Sequence, residues 1–484
     1  MTVELESGLL PPLGPMPAAT TAGQSAAKAE MPFPTLLAYA LPTLPIAFLS
    51  LPVSLLLPNY YASTMGLSLS AIGGFLLASR LADVVLDPMI GKWSDATRSR
   101  FGRRKLWMWM GVPILMIGAW LLFMPPVRPT GWYLLIASFV IYAGGSTLGL
   151  PYSAWGTEIV PSYHGRARLA GVREAAGLIG GLATAAIPAI TGAQGHGIDR
   201  YTMSIMAWLI IISAPLTVLV ASWLVPEAPV RLRTRIDWAS SITGLISNKP
   251  FRLFCITFVI LSIGSSVAAV TMIFYVNDYL RTPTMVGPSL LVLAVTTIAA
   301  VPLWLWVSRK VGKHRATAYS IFLSMLFYGG VTPFLRPGDG LYYVVLLGAL
   351  GFASCGLSTL PLGIIGDVID YDTLMHGQAR GGIYWGVWSF AQKVAPALGI
   401  GLTLPLLSLL GFSAKGHNTA ASLASLKYMY CFGPVAFYTV AGVLFLLFPI
   451  DARRHDVIVR GLRRLERRRE ADEAPPEEFS AGPA

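Results

Sequence analysis

Charge is what this chain has least of. Only 12% of its 484 residues are charged, against about 25% in an ordinary soluble domain. A surface so poor in ionised groups is not one designed for water. With 54% hydrophobic residues and a mean hydropathy of +0.62, no single core could hide the apolar area, so most of it must face lipid. Cysteine is scarce too. The three, Cys255, Cys355 and Cys431, stand far apart in apolar runs, which excludes a disulfide framework and reads as small buried hydrophobes. There is no P-loop, HExxH, G-x-S-x-G or metal-spaced Cys/His cluster, and the six histidines fall mostly in loops. An enzyme and a soluble cofactor are therefore not expected. Near the N-terminus, Glu4 and Glu6 occupy the place of the basic segment of a signal peptide. Residues 1–31, rich in Pro, Ala, Gly and Thr, read as a disordered tail.

What the chain has in abundance is long apolar runs. Spans of membrane length, about 20 residues each, fall near 35–61, 68–92, 106–125, 131–158, 169–192, 202–225, 251–279, 285–308, 316–335, 341–366, 381–412 and 425–450. The sequence thus predicts an all-α integral membrane protein of twelve helices. The net charge of +12 sits in alternate loops. Arg98, Arg100, Arg103, Arg104 and Lys105 follow the second span, Arg166 and Arg168 the fourth, Arg231, Arg233 and Arg235 the sixth, and Arg309, Lys310, Lys313 and Arg315 the eighth. Of the intervening loops, that near residue 65 carries no positive charge, and those after the third and fifth spans carry only Arg128 and only Arg200. Positive charge distributed this way places the even-numbered loops and both termini in the cytoplasm, and it does not read as affinity for nucleic acid. The longest polar connection, 226–250, divides the spans into a first six (32–225) and a second six (251–450). RSRFGRRK after span two and SRKVGKHR after span eight echo one another. Two such halves suggest parallel repeats with a small-molecule site between them near the midplane. The tail, 451–484, is basic to about Arg469 and then acidic. It reads as a solvated cytoplasmic tail, with a short helix on an anionic leaflet as the alternative.

Within the second span, Arg80, Asp83 and Asp87 interrupt the apolar run. Offsets of 0, +3 and +7 on a helix fall within roughly 60° of one another. Buried charge costs at least about 2.5 kcal/mol per residue in a membrane helix unless it faces protein or a wet cavity. One face carrying three such groups therefore reads as a cavity wall.

Four stretches carry a resemblance to a known family. RLADVVLDPMIGKWSD followed by RSRFGRRK, then PYSAWGTEIVPSYHGRARLAGVREAAG, NKPFRLF and GDVIDYDTLMHGQARGGIYWGVWSFAQKVAPALG occur in order across about 35–450. Together they resemble the glycoside–pentoside–hexuronide:cation symporters, the melibiose permease group of the major facilitator superfamily. The resemblance implies a major facilitator fold. It assigns coupling-cation carboxylates to Asp83 and Asp87, a substrate and gating arginine to Arg173, and a lysine near the cation site to Lys393. This sequence departs from the family pattern where a helix-four aspartate becomes Gly149, a tryptophan becomes Ser153, and a helix-one aspartate becomes Ala47.

Asp83 and Asp87 can hold Na⁺ or share a proton, because neighbouring carboxylates raise one another's proton affinity. Ser146 and Thr147 are candidate further ligands, since hard cations take several oxygens. Lys393, mid-span, would be costly unpaired and is expected to bridge to the carboxylates, either reversibly or as a static lock. Arg80 and Arg173 are candidate substrate contacts, although Arg173 could instead pair with its neighbour Glu174. Tyr384, Trp385 and Trp388 could stack on a sugar ring or simply pack. Asp95, Arg103 and Arg104 on one side, and Asp367, Asp370 and Asp372 on the other, are expected to latch the two halves at the cytoplasmic face. Glu158 reads as architectural.

The expectation is a secondary transporter in a bacterial-type inner membrane, acting as a monomer. It would carry a glycoside, oligosaccharide or related polar solute, coupled to Na⁺ or H⁺, by alternating access. The same fold with a lipid-like or amino-acid-like solute is one alternative, and a membrane receptor without transport is another.

Overall fold

The computed structural model describes residues 31–160, 163–227, 245, 248–376 and 381–473. The expected N-terminal tail, most of the central connection and the acidic end of the chain lie outside these residues. Among the described residues there is no strand. Helices α1 (Phe33–Thr64), α2 (Leu69–Ala96), α3 (Arg103–Phe123) and α4 (Gly131–Ile159) are followed by α5 (Tyr163–Ala193) and α6 (Arg200–Leu224). These form the first half. The second comprises α7 (Lys249–Tyr279), α8 (Val286–Val311), α9 (Lys313–Met325), α10 (Gly340–Met375), α11 (Gly381–Leu409) and α12 (Ala420–Leu446). Eleven of the twelve are long and apolar enough to cross a membrane on those grounds alone. The exception, α9, is extended by a π turn (Leu326–Val331) and a 3-10 turn (Thr332–Phe334). Its Thr317, Ser320 and Ser324 hydroxyls donate to carbonyls of α9 or α10, which lets a less apolar helix cross while shielded by neighbours.

Proline shapes two of the helices. Pro45, Pro52 and Pro58 each remove a backbone donor from α1, and π turns appear at Pro52–Leu56 and Tyr60–Thr64. The loosened carbonyls take side-chain donors instead, Ser54 to Ser50 O and Ser63 to Asn59 O. In α10 the break at Leu360–Pro361 separates a buried outer part from an acidic inner part.

Helix pairings repeat between the halves. In the first, α1 packs on α5, α2 on α4 and α3 on α6; in the second, α7 packs on α11, α8 on α10 and α9 on α12. The halves meet through α2 with α11 and, equivalently, α8 with α5. This is the pattern of two parallel repeats about an axis along the membrane normal.

Among the described residues, the meeting is close toward one end. Toward the loops at 64–69 and 409–420, a methyl group on Gly73 would lie 2.9 Å from Pro405. A methyl on Gly287 of α8 would collide with the Pro188 carbonyl of α5, so only glycine lets these backbones approach. Lys415 donates to the Thr64 carbonyl across the same end, 3.2 Å. The apolar core is continuous there from Leu56 and Tyr60 to Phe274 and Phe412. Toward the opposite end, Gly91 of α2 and Gly386 of α11 have no neighbour within 4 Å. The two helices fork.

After α12, α13 (Ala452–Glu473) returns beneath the second half rather than remaining a free tail. Its Ile458 is buried, and Gly461 lies against Leu374 of α10. Ile458 and Leu462 of this stretch pack against the second half, so its first turns are held by protein while Val457 stays exposed.

Candidate functional site

At the fork of α2 and α11 sits a closed cluster of charge. Lys393 donates to Asp83 Oδ2 at 3.0 Å, to Asp87 at 2.6 and 2.8 Å, and to Ser146 Oγ at 2.9 Å. Ser146 in turn donates to Asp83 Oδ1 at 2.7 Å. An ammonium has three protons, and two carboxylates and a hydroxyl take all of them. Arg80 completes the group, 3.4 Å from Asp83 and stacked 4.1 Å over the Tyr142 ring. Asp83 is 0% exposed. Two cations and two anions balance, so no net charge is left unpaired at membrane depth. The predicted bridge between Lys393 and the second-helix carboxylates is present, and it joins the halves.

Thr147 takes a different part from the one expected. Its hydroxyl donates to Ala143 O at 2.7 Å, back onto its own helix, while Ser146 reaches the carboxylates. Adjacent helix positions diverge by about 100°, so one hydroxyl of the pair faces α2 and the other does not.

Beside the cluster lies a cavity of about 530 Å³. Ser389, Lys393, Pro396, Ala397 and Ile400 line it from α11, at offsets of 0, +4, +7, +8 and +11. Tyr142, Ser146, Tyr152 and Ser153 come from α4, Leu76 and Arg80 from α2, and Thr43, Ser50 and Ser54 from α1. Arg173 of α5 closes one side, 3.4 Å from Ser153 and 5.8 Å from the Tyr152 ring. It therefore faces the cavity, whereas Glu174 is exposed on another face. Gly149, where the family pattern has an aspartate, lines the wall without a side chain.

The aromatic residues of α11 do not line this cavity. Trp388 is buried between Phe258 (4.1 Å) and Phe254 (4.8 Å) of α7. Tyr384 packs on Phe251 and accepts from Asn248 Nδ2 at 3.0 Å. Trp385 is 45% exposed. Positions 388 and 393 differ by about 140° around the helix, so a lysine facing α2 turns that tryptophan into the second half. The cavity's aromatic rings are Tyr142 and Tyr152, which sequence reasoning missed. Their spacing offered a signal, because Tyr142 stands one turn before Ser146. Ser389, one turn before Lys393, was detectable the same way.

The expected latches also differ. Arg104, 2% exposed, is held by Asp95 at 2.5 Å and Glu158 at 2.6 Å, and Arg103 meets Glu158 at 2.8 Å. All these groups belong to the first half. In the second half, Lys313 meets Asp367 at 2.5 Å, and His455 of α13 lies 3.2 Å from Asp367 and 3.3 Å from Asp370. These pairs brace helices within a half rather than joining the halves. The reason is topological: a basic loop after one helix lies nearest the acidic ends of its own bundle. Asp372 is buried in the same region.

A family model described as MFS/sugar transport protein matches residues 38–452. The chain belongs to that family. This MFS chain is accordingly a membrane transporter and not an enzyme. It is 23% identical over 413 residues to the isoprimeverose transporter of Lactiplantibacillus pentosus, covering 82% of this chain and 85% of that one. Its identity to the glucuronide carrier protein homolog of Escherichia coli (strain K12) is 23% over 421 residues, covering 84% and 90%. Among solved structures, the nucleoside transporter NupG superposes with a TM-score of 0.60 at 12% identity, covering 86% of this chain and 99% of that chain. That likeness concerns the fold.

Proposed function

We propose that the MFS chain is a cation-coupled symporter of a glycoside or related small solute, working by alternating access. The carrying observation is the position of Lys393. Its ammonium occupies the space between Asp83 and Asp87 that a coupling Na⁺ would fill, and it neutralises the carboxylates that a coupling H⁺ would protonate. Either ion competes with the lysine and loosens a bridge between the halves. The halves then rock, closing the open end of the fork and parting the packed one. The solute occupies the adjacent cavity, with Arg80 and Arg173 as contacts. A receptor without transport would seal its inner charges and have no such cavity beside them. The basic even-numbered loops support cytoplasmic termini and an inner-membrane location, which makes the fork open inward. We take the working unit to be the monomer, surrounded by lipid, with no nucleic-acid partner.

The test is uptake in proteoliposomes with a mixed glycoside panel under separately imposed Na⁺ and H⁺ gradients. Accumulation driven by one gradient and lost in Asp83→Asn and Asp87→Asn is expected. Uptake indifferent to both gradients and to both substitutions would overturn the coupling role.

A further inference from the structure

A second cavity, of about 570 Å³, lies at the packed end of the seam, away from the cluster at Lys393. Both halves make its wall. Residues 64–67 after α1, with Arg128 and Pro129 before α4, come from the first half, and Lys415, before α12, comes from the second. Two cations stand on this wall and no carboxylate does. Lys415 donates to the Thr64 carbonyl at 3.2 Å, across the seam. It reaches there because residue 66 is glycine. Gly66 has a φ of +80°, and a methyl on it would lie 3.0 Å from Lys415 Nζ and 3.3 Å from Cδ. Arg128 is exposed and has no ion pair among the described residues. The neighbouring charged groups are already committed. Arg200 donates to the Pro125 carbonyl, in the same loop as Arg128. Asp199 is brought near by the bond from Thr64 Oγ1 to the Ile198 carbonyl, 3.3 Å. Its carboxylate lies 2.8 Å from His196 and accepts from the Thr202 N–H at 2.9 Å.

We propose that this cavity binds a phosphate group through Arg128 and Lys415, and that its occupant pins the packed end shut. The site goes beyond the symport reading and takes from it only the orientation, which makes this end the outer one. Outer loops are poor in positive charge, and two cations gathered on one wall repel unless an anion stands between them. A phosphate has acceptor oxygens on several sides. It can therefore take the planar fork of an arginine and the point charge of a lysine arriving from different elements. The depth of the cavity suits this chemistry as well. Trp132, just after Pro129 at the start of α4, is 67% exposed and lies 5.3 Å from the Phe75 ring. An exposed tryptophan at a helix end marks the level of the lipid headgroups. The phosphate is then free in solution or carried on a lipid headgroup, one chemistry from two sources. Its effect follows from the make-up of the wall. When the packed end parts, Lys415 leaves with the second half while Arg128 stays with the first, and the phosphate keeps one of its two cations. A ligand that binds one state better than another shifts the population toward it. The occupied cavity thus holds the outer end packed and the inner fork open, whatever the solute or coupling ion.

The deciding experiment reads conformation rather than transport. The full chain carries Ser289→Cys as reporter, with Cys255, Cys355 and Cys431 replaced by serine, in phosphatidylcholine nanodiscs. Ser289 is buried at the packed end, where Gly287 meets Pro188, so alkylation there reads how often that end parts. Exchanging chloride for inorganic phosphate at constant ionic strength is expected to slow alkylation by about fivefold or more. Arg128→Gln and Lys415→Gln should each abolish the slowing, and Lys415→Arg should keep part of it. In nanodiscs of equal parts phosphatidylglycerol and phosphatidylcholine, alkylation already slow without phosphate, and dependent on the same two residues, would assign the occupant to the lipid. Slowing by free phosphate alone would assign it to the soluble ion. Equilibrium dialysis of radiolabelled phosphate against the unaltered chain in phosphatidylcholine nanodiscs gives a second reading. Saturable binding is expected there, and its loss in the Arg128→Gln, Lys415→Gln double variant. Saturable binding that leaves alkylation unchanged would overturn the pinning and keep the site. Alkylation indifferent to phosphate and to phosphatidylglycerol, with no saturable binding, would overturn the proposal. Slowing that survives both substitutions would also overturn it, because the phosphate would then act elsewhere.

Discussion

Two charge clusters in this molecule are built from the same chemistry and join different parts of it. Arg104 with Asp95 and Glu158 is a buried cation between two carboxylates, and Lys393 with Asp83 and Asp87 is a half-buried one. The first ties α2, α3 and α4, which belong to one half. The second ties α2 to α11, which belong to different halves, and it stands where close packing ends and the fork begins. Burial and pairing alone therefore do not make a switch. A switch needs its partners on elements that can part and a competitor able to replace one of them. Arginine, always protonated and bidentate, suits the brace; lysine, a compact point charge that a monovalent cation can displace, suits the switch.

The largest effect separating the two should come from Asp83→Asn. Asp83 is 0% exposed, removing one partner of a buried pair costs about 3–5 kcal/mol, and here the loss falls on coupling, so gradient-driven accumulation is expected to drop by about 100-fold or more. Wild-type accumulation in this variant would make Lys393 a static lock. Next in size, Arg104→Met should cost a similar free energy but show it as stability. A lower melting temperature is expected, while the protein that remains folded keeps its dependence on the coupling ion. Loss of ion dependence at unchanged melting temperature would erase the distinction between brace and switch.

A smaller effect is expected at the packed end of the seam. In Gly287→Val the side chain must displace the Pro188 carbonyl, so the state with that end parted gains population. Alkylation of a cysteine placed at Ser289, buried in this structure, should quicken several-fold. The smallest effect belongs to the second half's own brace. Lys313 is 40% exposed, so Lys313→Met should shift stability by no more than about 1 kcal/mol. His455→Ala should loosen α13 from α10, visible as faster amide exchange over 452–462 with little change in transport.

Much of this arrangement was legible in the sequence because membranes restrict the choices. Twelve apolar spans and alternating basic loops follow from the solvent, and three ionisable groups on one face of α2 have few places to go. Lys393 needed a counter-charge, and the second-helix carboxylates needed one as well. What periodicity cannot supply is the identity of the facing surface. It put Asp95, Arg103 and Arg104 at one end of the bundle without saying that Glu158 of the same half would claim the two arginines. It grouped Tyr384, Trp385 and Trp388 near Lys393 in sequence, whereas the helix turns Trp388 toward Phe254 and Phe258. The wall residues Tyr142 and Tyr152 carried no charge to draw attention. Spacing from Ser146 marked Tyr142 alone, and the assembled cavity is what separates both from other membrane tyrosines, such as the buried pair Tyr343 and Tyr430.

The most direct test of the switch is a distance across the fork. Spin labels at Gly91→Cys and Gly386→Cys, in a background with Cys255, Cys355 and Cys431 replaced by serine, would report the separation of α2 and α11 at their open end by pulsed electron resonance. Coupling ion and solute together should shift the distribution toward shorter distances. The same load should leave it unchanged in Asp83→Asn. An identical distribution with and without the load in the otherwise wild-type chain would contradict the account, because the bridge at Lys393 would then not govern how the halves move.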